Sequence, residues 1–488
     1  MAVDYDLVIV GGTLEAREAA VSAALLGARI ALVEPEPNFA NPLQASLHHQ
    51  AFLQVARMAQ QRCQWDSLEK ARQIASDDPP TRLTVDWSEI CQWVEIVVAN
   101  LADLRSPQII AAQGVDVIWG SGQFVRRPRL AFEVGNRLLT ARSYLLATGT
   151  QSTAPTIQGR SPGRCFTLDT FAHLAKLPHC PDRLVIIGAT PTALELAQTF
   201  NHLGTQITVV TPANSLLPTE DFDVARLLQA QLEADGVRIL RRTQIGDIQS
   251  AEADTRIQVN DETLSADAVL IASPQTPRVA GLNLETVGVE WNQQGILVNR
   301  RLQTTRSRIY ACGSLVGGDV LGAIGRCEAH IALQNALFLP RQAVAYQRIP
   351  YAFFTTPEVG RVGLTEAQAK RQYGETAWVL KEPFQTVDKA QLLNRISGFC
   401  KLIGRRNGEI LGAHIVGAQA SELVQSIALA MNQGATIGTL SQFPAIPTTL
   451  STVLIQAADR WRQHQWRIGG WRRDWAENWF NWRRSRVC

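Results

Sequence analysis

The chain has 488 residues, 46% of them hydrophobic and 19% charged, with a formal net charge of +3. That length is too great for one core and predicts two to four domains, and no apolar run reaches the ~18 residues of a membrane-spanning helix. Eight arginines crowd into residues 460–488, so the body is slightly acidic, which argues against a nucleic-acid partner.

The opening segment reads as strand YDLVIV, turn GGTLEA, helix REAAVSAALLGA and strand RIALVE, a β-turn-α-β unit. It begins without a basic n-region or cleavage site, which predicts a cytoplasmic protein. The turn follows the dinucleotide pattern G-x-G-x-x-G/A at Gly11 and Ala16, with Thr13 in place of the middle glycine. That glycine normally lets backbone amides approach a pyrophosphate closely. Threonine adds bulk there, though its hydroxyl offers a hydrogen bond to a phosphate oxygen. Glu34 ends the second strand, where a carboxylate accepts from ribose hydroxyls. Residues 35–53, PEPNFANPLQASLHHQAFL, then run into a predicted helix.

Residues 183–211, RLVIIGATPTALELAQTFNHLGTQITVVT, repeat the unit, with Gly188 and Ala193 in the pattern and Thr190 again at the middle position. Its second strand ends at Thr211, followed by Pro212, Ala213 and Asn214. Neither a carboxylate for a free ribose nor an arginine for a 2′-phosphate stands there. Two tandem units predict two nucleotide-binding domains; the alternative for either turn is plain packing of strand on helix. The eight cysteines show no C-x-x-C and no zinc spacing, so the expectation is buried small hydrophobes and no metal site.

Six of the twelve tryptophans lie in residues 456–488. Trp471, Trp475, Trp479 and Trp482 recur at helical spacing, flanked by Arg472, Arg473, Arg483 and Arg484, after a break at Gly469-Gly470. Tryptophan with arginine is the composition of a helix lying on an anionic membrane surface. Packing on the chain's own dimer, or on a partner with an acidic groove, is the alternative. Terminal Cys488 is read as incidental.

Seven landmarks stand in a recognisable order: YDLVIVGG; LLATGT at 145–150; RLVIIGATPTALELA at 183–197; LIASPQTPRVAGLNLETVGVEWNQQGILVN at 270–299; IYACGS at 309–314; IPYAFFTTPEVGRVGLTEAQA at 349–369; and GEILGAHIVGAQASELVQSIALAM at 408–431. Over residues 4–455 this resembles the class I pyridine nucleotide–disulfide oxidoreductases, the family of dihydrolipoamide dehydrogenase, glutathione reductase and mercuric reductase. The resemblance implies an α/β fold of two tandem Rossmann-like domains plus a C-terminal α+β dimerisation domain, assembled as a homodimer. The FAD-binding domain would take residues 1–150 and 275–345, an NAD(P)-binding-like domain 151–274, and the interface domain 346–455, with 456–488 as a tail. Matched to the family's FAD positions are Gly11, Gly12, Thr13, Ala16, Glu34, Thr148, Gly149 and Gly313, with Ser314 replacing the aspartate of a G-D motif. Gly188, Thr190 and Ala193 match the NAD(P)H turn.

The resemblance also exposes departures. Counting places the family's redox cysteines near Leu43 and His48, and its following lysine near Phe52, while that lysine's partner glutamate persists as Glu195. The distal acid–base histidine and glutamate fall at Ile446 and Ser451. Thiol relay is thereby removed from the expected chemistry. His48 or His49 beside a flavin would relay a proton or stabilise the reduced ring; the plainer alternative is that one faces solvent and the other packs. His48, His49 and Glu195 are the candidate catalytic residues. Three functions remain open. One is an FAD-dependent oxidoreductase passing electrons from NAD(P)H directly to a small acceptor such as a quinone, at a membrane surface reached by the tail. A second is a flavoprotein reduced by a protein donor. The third is a non-catalytic flavin-binding dimer, a scaffold or sensor.

Overall fold

The computed structural model describes residues 3–36, 42–72, 86–126, 129–152, 157–158, 164–250, 255–272, 275–317, 322–468 and 470–486. The chain divides into two compact units, Met1–Leu217 with Leu232–Val344, and Pro218–Gln231 with Ala345–Cys488.

The first unit contains, in order, β1 (Tyr5–Val10), α1 (Leu14–Leu25), β2 (Ile30–Glu34), α2 (Pro42–Arg72), α3 (Trp87–Asp103), β3 (Asp116–Trp119), β4 (Ala141–Leu146), β5 (Cys165–Thr167), β6 (Arg183–Ile187), α4 (Pro191–His202), β7 (Gln206–Val210), β8 (Arg238–Leu240), β9 (Ala268–Ile271), β10 (Ile309–Ala311) and α5 (Gly322–Leu337). Two five-stranded sheets result, ordered β10-β4-β1-β2-β3 and β5-β9-β6-β7-β8. Every pairing within them is parallel. Strands such as β1 are apolar on both faces because parallel sheets are covered on both sides, and Leu7, Val8 and Ile9 are fully buried. In the first sheet, β1, β2, β4 and β10 all end at one edge. That edge carries Gly11, Glu34, Ala147 and Gly313, and lies where the strand order reverses about β1, the usual place for a nucleotide.

The second unit holds the antiparallel sheet β11 (Tyr351–Phe353), β12 (Glu358–Gly363), β13 (Ala377–Pro383), β14 (Phe399–Arg405) and β15 (Ile410–Gly417), in the order β11-β12-β15-β14-β13. Helices α6 (Ala420–Asn432) and α7 (Thr452–Ile468) pack against it, burying Ile415, Val424, Ile427, Val453 and Ala457 in one core. The architecture is thus α/β with a C-terminal α+β domain.

Helix α7 runs past the expected start of the tail and stays docked. Arg460 Nε donates to Glu382 at 2.7 Å, Trp461 Nε1 donates to the Arg405 carbonyl at 3.3 Å, and the Trp378 and His464 rings meet edge-on at 4.5 Å. The exposed remainder is α8 (Gly470–Arg484), on which Trp475 and Trp479 stack at 5.9 Å and Trp479 and Trp482 at 5.0 Å. Trp475 is 62% exposed, so the stripe has its expected spacing and no cover from described residues. Gly469, Cys488 and the side chains of Trp471, Arg472 and Arg473 lie outside the described residues. Among those described, no helix is long and apolar enough to cross a membrane.

Candidate functional site

The turn after β1 is fixed by a glycine and a threonine. Gly11 has φ +133°, and a Cβ there would stand 2.1 Å from the Ala147 carbonyl oxygen, so only glycine lets the chain turn beside β4. Thr13 caps α1: its Oγ1 accepts from Ala16 N at 3.3 Å and donates to the Ala147 carbonyl at 3.1 Å. The second unit of the repeat ties the same knot. Thr190 Oγ1 accepts from Ala193 N at 3.2 Å and donates to the Ala272 carbonyl at 3.5 Å. Both hydroxyl protons are therefore spent inside the protein. The hydrogen bond expected from Thr13 to a phosphate oxygen is not on offer in this arrangement, because what the hydroxyl has left is acceptor capacity.

Glu34 is 1% exposed at the end of β2. A Cβ on Gly12 would lie 2.6 Å from its Oε2, so the carboxylate stands over the turn, where a ribose is read. It is already engaged: Arg17 Nε lies 2.7 Å from Oε1 and Nη2 3.0 Å from Oε2, while Nη1 donates to the Arg105 carbonyl at 2.9 Å. Burial pushes the Glu34 carboxyl above its ordinary pKa, with the Arg17 guanidinium opposing it. Gly149, in the loop after β4, lies beside both Thr13 and Ser314, since a Cβ there would stand 3.1 Å from Thr13 Cγ2 and 3.6 Å from Ser314 Oγ. Thr148 Oγ1 turns aside and donates to the Arg278 carbonyl at 2.7 Å. Into the same corner reaches Glu15, missed by sequence reasoning. Its Oε1 is 2.7 Å from where a Gly325 Cβ would be, and its Cδ is 3.7 Å from a Cβ on Gly313. The backbone frame and Glu34 therefore fit FAD, and the structure brings Gly11, Gly12, Thr13, Ala16, Glu34, Gly149, Gly313 and Ser314 to one edge. The side chains of Glu15 and Arg17 stand within that frame.

At the second edge, Thr211 Oγ1 accepts from Ala213 N at 3.2 Å. Cations do arrive there, from the neighbouring strand: after β8, Arg242 Nε donates to Asn214 Oδ1 at 2.7 Å and Arg241 Nη1 to the Asn214 carbonyl at 3.2 Å. Both arginines are exposed. The sequence signal was present but lay 27 and 28 positions away from Asn214.

The candidate histidines on α2 part company. His48 Nδ1 lies 2.8 Å from the Gln44 carbonyl one turn back, and Nε2 lies 3.2 Å from Glu95 of α3, a mostly exposed carboxylate. His49 Nε2 lies 3.1 Å from Glu195 Oε2 of α4, both side chains buried, at an angle off the line of a hydrogen bond. Phe52, where the family's lysine would fall, is fully buried and packs with Trp87, Phe171 and Phe200 at centroid distances of 6.0, 6.4 and 5.9 Å. Glu195 thus faces His49 where the family resemblance sets a lysine–glutamate pair.

Cys91, Cys165, Cys180, Cys312, Cys327 and Cys400 are free thiols. Burial pushes the Cys91 and Cys400 thiols up to about 12, far from thiolate reactivity. Cys63 and Cys488 lie outside the described side chains. One carboxylate cluster, Asp221, Asp223 and Glu366 of the second unit, has spacing suited to a metal. Lys401 Nζ fills it, at 2.7, 2.8 and 2.8 Å from the three groups.

Comparison with known proteins agrees with this architecture. Residues 5–336 match the family model for pyridine nucleotide-disulphide oxidoreductases, and residues 349–458 match that family's dimerisation domain, which supports a homodimer. The chain is 30% identical over 461 residues to a dihydrolipoyl dehydrogenase of Bacillus subtilis, covering 92% of this chain and 97% of that one. It is 28% identical over 468 residues to a mercuric reductase of Staphylococcus aureus, covering 93% and 82%. The HOCl-induced flavoprotein disulfide reductase RclA from Escherichia coli, solved as a Cu(II) complex, superposes with a TM-score of 0.79 at 25% identity, covering 94% of this chain and 99% of that one. With the flavin edge, the tandem sheets and the interface domain all in place, the chain belongs to the pyridine nucleotide-disulphide oxidoreductase family, whose members are FAD-dependent oxidoreductases.

Proposed function

We propose that this chain is an FAD-dependent oxidoreductase that works without a redox disulfide, passing electrons directly to a small acceptor such as a quinone. The observation that carries this reading is the buried approach of His49 to Glu195 at 3.1 Å, with Leu43 and His48 at the positions counted for the redox cysteines. FAD, when bound, supplies a two-electron carrier. The protein's share is to hold its ADP half at the β1–β2 edge, through the turn amides and Glu34, and to keep a proton-holding pair, His49 with Glu195, inside the first unit. Phe52 and its aromatic neighbours fill the lysine's place and keep water out of it. The domain division read from the sequence, with FAD-binding residues 1–150 and 275–345, is retained in this proposal, as is a cytoplasmic location.

NADPH is favoured as donor over NADH by Arg241 and Arg242, two cations beside Asn214 at the edge where a 2′-phosphate would be read. The capped Thr190 turn and the absence of a ribose carboxylate at Thr211 favour a second reading, in which a protein donor reduces the flavin. The exposed tryptophans of α8, stacked on one another and followed by Arg483, Arg484 and Arg486, favour peripheral attachment to an anionic membrane, close to membrane-dissolved quinones. The test is spectroscopic: add NADPH and NADH anaerobically to the purified, FAD-loaded protein and follow the flavin band. Rapid bleaching by NADPH is expected. A bound flavin untouched by both nucleotides would overturn the direct reading and leave the protein-donor and non-catalytic ones.

A further inference from the structure

We propose that the first turn of α1 sets this chain's own charges in the places where FAD puts its ribose and pyrophosphate, so that FAD binds by displacing them and is an exchangeable rather than a resident cofactor. The proposal rests on the reading that the chain binds FAD, and concerns how tightly.

A dinucleotide places its pyrophosphate at the N-terminus of the helix after the first strand, and its adenine-side ribose on the carboxylate ending the second. Here Glu15 stands in the first turn of α1, and its carboxylate points toward Gly313 and Gly325, across the corner where Thr13, Gly149 and Ser314 meet. A pyrophosphate entering that corner meets a negative charge and the bulk of a glutamate side chain. Two residues on, Arg17 grips Glu34 with two nitrogens and spends a third on the Arg105 carbonyl. Arg17 is 6% exposed and Glu34 1%, so the pair is closed off in this state and a ribose reaches the carboxylate only after Arg17 lets go. Arg17 does little to neutralise an incoming phosphate either, because its charge is already balanced by Glu34 and three of its five N–H donors are committed.

The repeat within the chain provides a control. At the second fingerprint the positions equivalent to Glu15 and Arg17 are Thr192 and Leu194, an uncharged pair, while the capping threonine is the same in both. The inserted charges are therefore a property of the first site and not of the threonine-capped turn in general. Gly12 and Gly149 leave the turn without a side chain beside Glu34 and beside Thr13 and Ser314. Such a frame still admits FAD once Glu15 swings out and Arg17 lets go.

The experiment is a binding titration on the full-length protein and its variants, with FAD and with FMN, read by flavin fluorescence and by retention through gel filtration. FMN lacks the AMP half, and with it the adenine-side ribose and the second phosphate, and serves as the internal reference. The wild type is expected to lose FAD on gel filtration. Glu15→Ala and Arg17→Ala are each expected to tighten FAD at least tenfold while changing FMN less than twofold. Glu15→Gln, which keeps the shape and removes the charge, is expected to fall between wild type and Glu15→Ala, and serves should Glu15→Ala fail to fold. Stoichiometric FAD retained by the wild type would overturn the proposal and leave the flavoprotein reading intact. Variants no tighter than wild type, or FMN tightening as much as FAD, would overturn it as well. No FAD binding by wild type or any variant would overturn both.

Discussion

Restoring the family's lysine, by Phe52→Lys, tests whether the place beside Glu195 still exists. Phe52 is fully buried, stacked on Trp87 and flanked by Phe171 and Phe200. Removing such a ring costs about 3–5 kcal/mol, and its aromatic contacts are worth roughly 0.5–1.5 kcal/mol each beyond area. A lysine stem recovers part of the packing, but an ammonium among three aromatic rings is desolvated and lacks an acceptor. The net expectation is a loss of at least about 3 kcal/mol at neutral pH. The pH dependence has a definite sign. Desolvation lowers the folded pKa of the new lysine below its unfolded value near 10.4, so the unfolded chain binds more protons and the variant's deficit shrinks as pH rises toward 10. Denaturant unfolding of the first unit, followed by tryptophan fluorescence at pH 7 and pH 9.5, measures both. A cost under about 1 kcal/mol, with no gain at high pH, would mean that the lysine reaches Glu195. That result would refute the view that the aromatic cluster has replaced the lysine site.

Other outcomes follow from particular contacts. Lys401→Met strips the cation from Asp221, Asp223 and Glu366 and is expected to cost about 3–5 kcal/mol at pH 7 in thermal unfolding. Burial works against ionisation of these carboxyls, yet hydrogen bonds from Lys401 hold Asp221 and Asp223, and those from Lys370 and Lys401 hold Glu366, below the usual carboxylate range. The wild-type advantage is therefore present above about pH 4 and lost as pH falls below it, and a pH-independent difference would contradict this account. Arg242→Ala is expected to weaken NADPH binding about tenfold and NADH binding less than twofold, measured by fluorescence titration; equal losses would place the arginine outside a 2′-phosphate site. Deleting residues 470–488 is expected to abolish pelleting with anionic liposomes while leaving the dimer intact, and equal pelleting would rule against a membrane role for α8.

The parts of this structure visible in the sequence are those set by local rules. The two β-turn-α-β units follow from apolar strands and glycine turns, and Thr13 and Thr190 are helix caps wherever such a residue precedes a helix. What stayed hidden depends on pairings across the fold. Arg17 looks like a surface helix residue until β2 brings Glu34 beside it. His48 and His49 are adjacent in sequence and about 100° apart on the helix, so only the placement of α3 and α4 decides that one meets Glu95 and the other Glu195. Arg241 and Arg242 belong to the second nucleotide edge only because β8 pairs with β7. The tail reads as one unit in the sequence, but its first half is held to the second unit's sheet through Arg460, Trp461 and His464.

The central claim is that electrons leave this flavoprotein without passing through a disulfide, and electron counting tests it most directly. Anaerobic reductive titration of the FAD-loaded protein measures how many electrons each bound flavin site accepts. A flavin alone takes two, and a flavin beside a redox disulfide takes two more, because thiol–disulfide exchange is itself a two-electron couple. The account predicts two per flavin, with no change after alkylation of the accessible thiols. Uptake of four, falling to two on alkylation, would show a redox-active cysteine pair and contradict it.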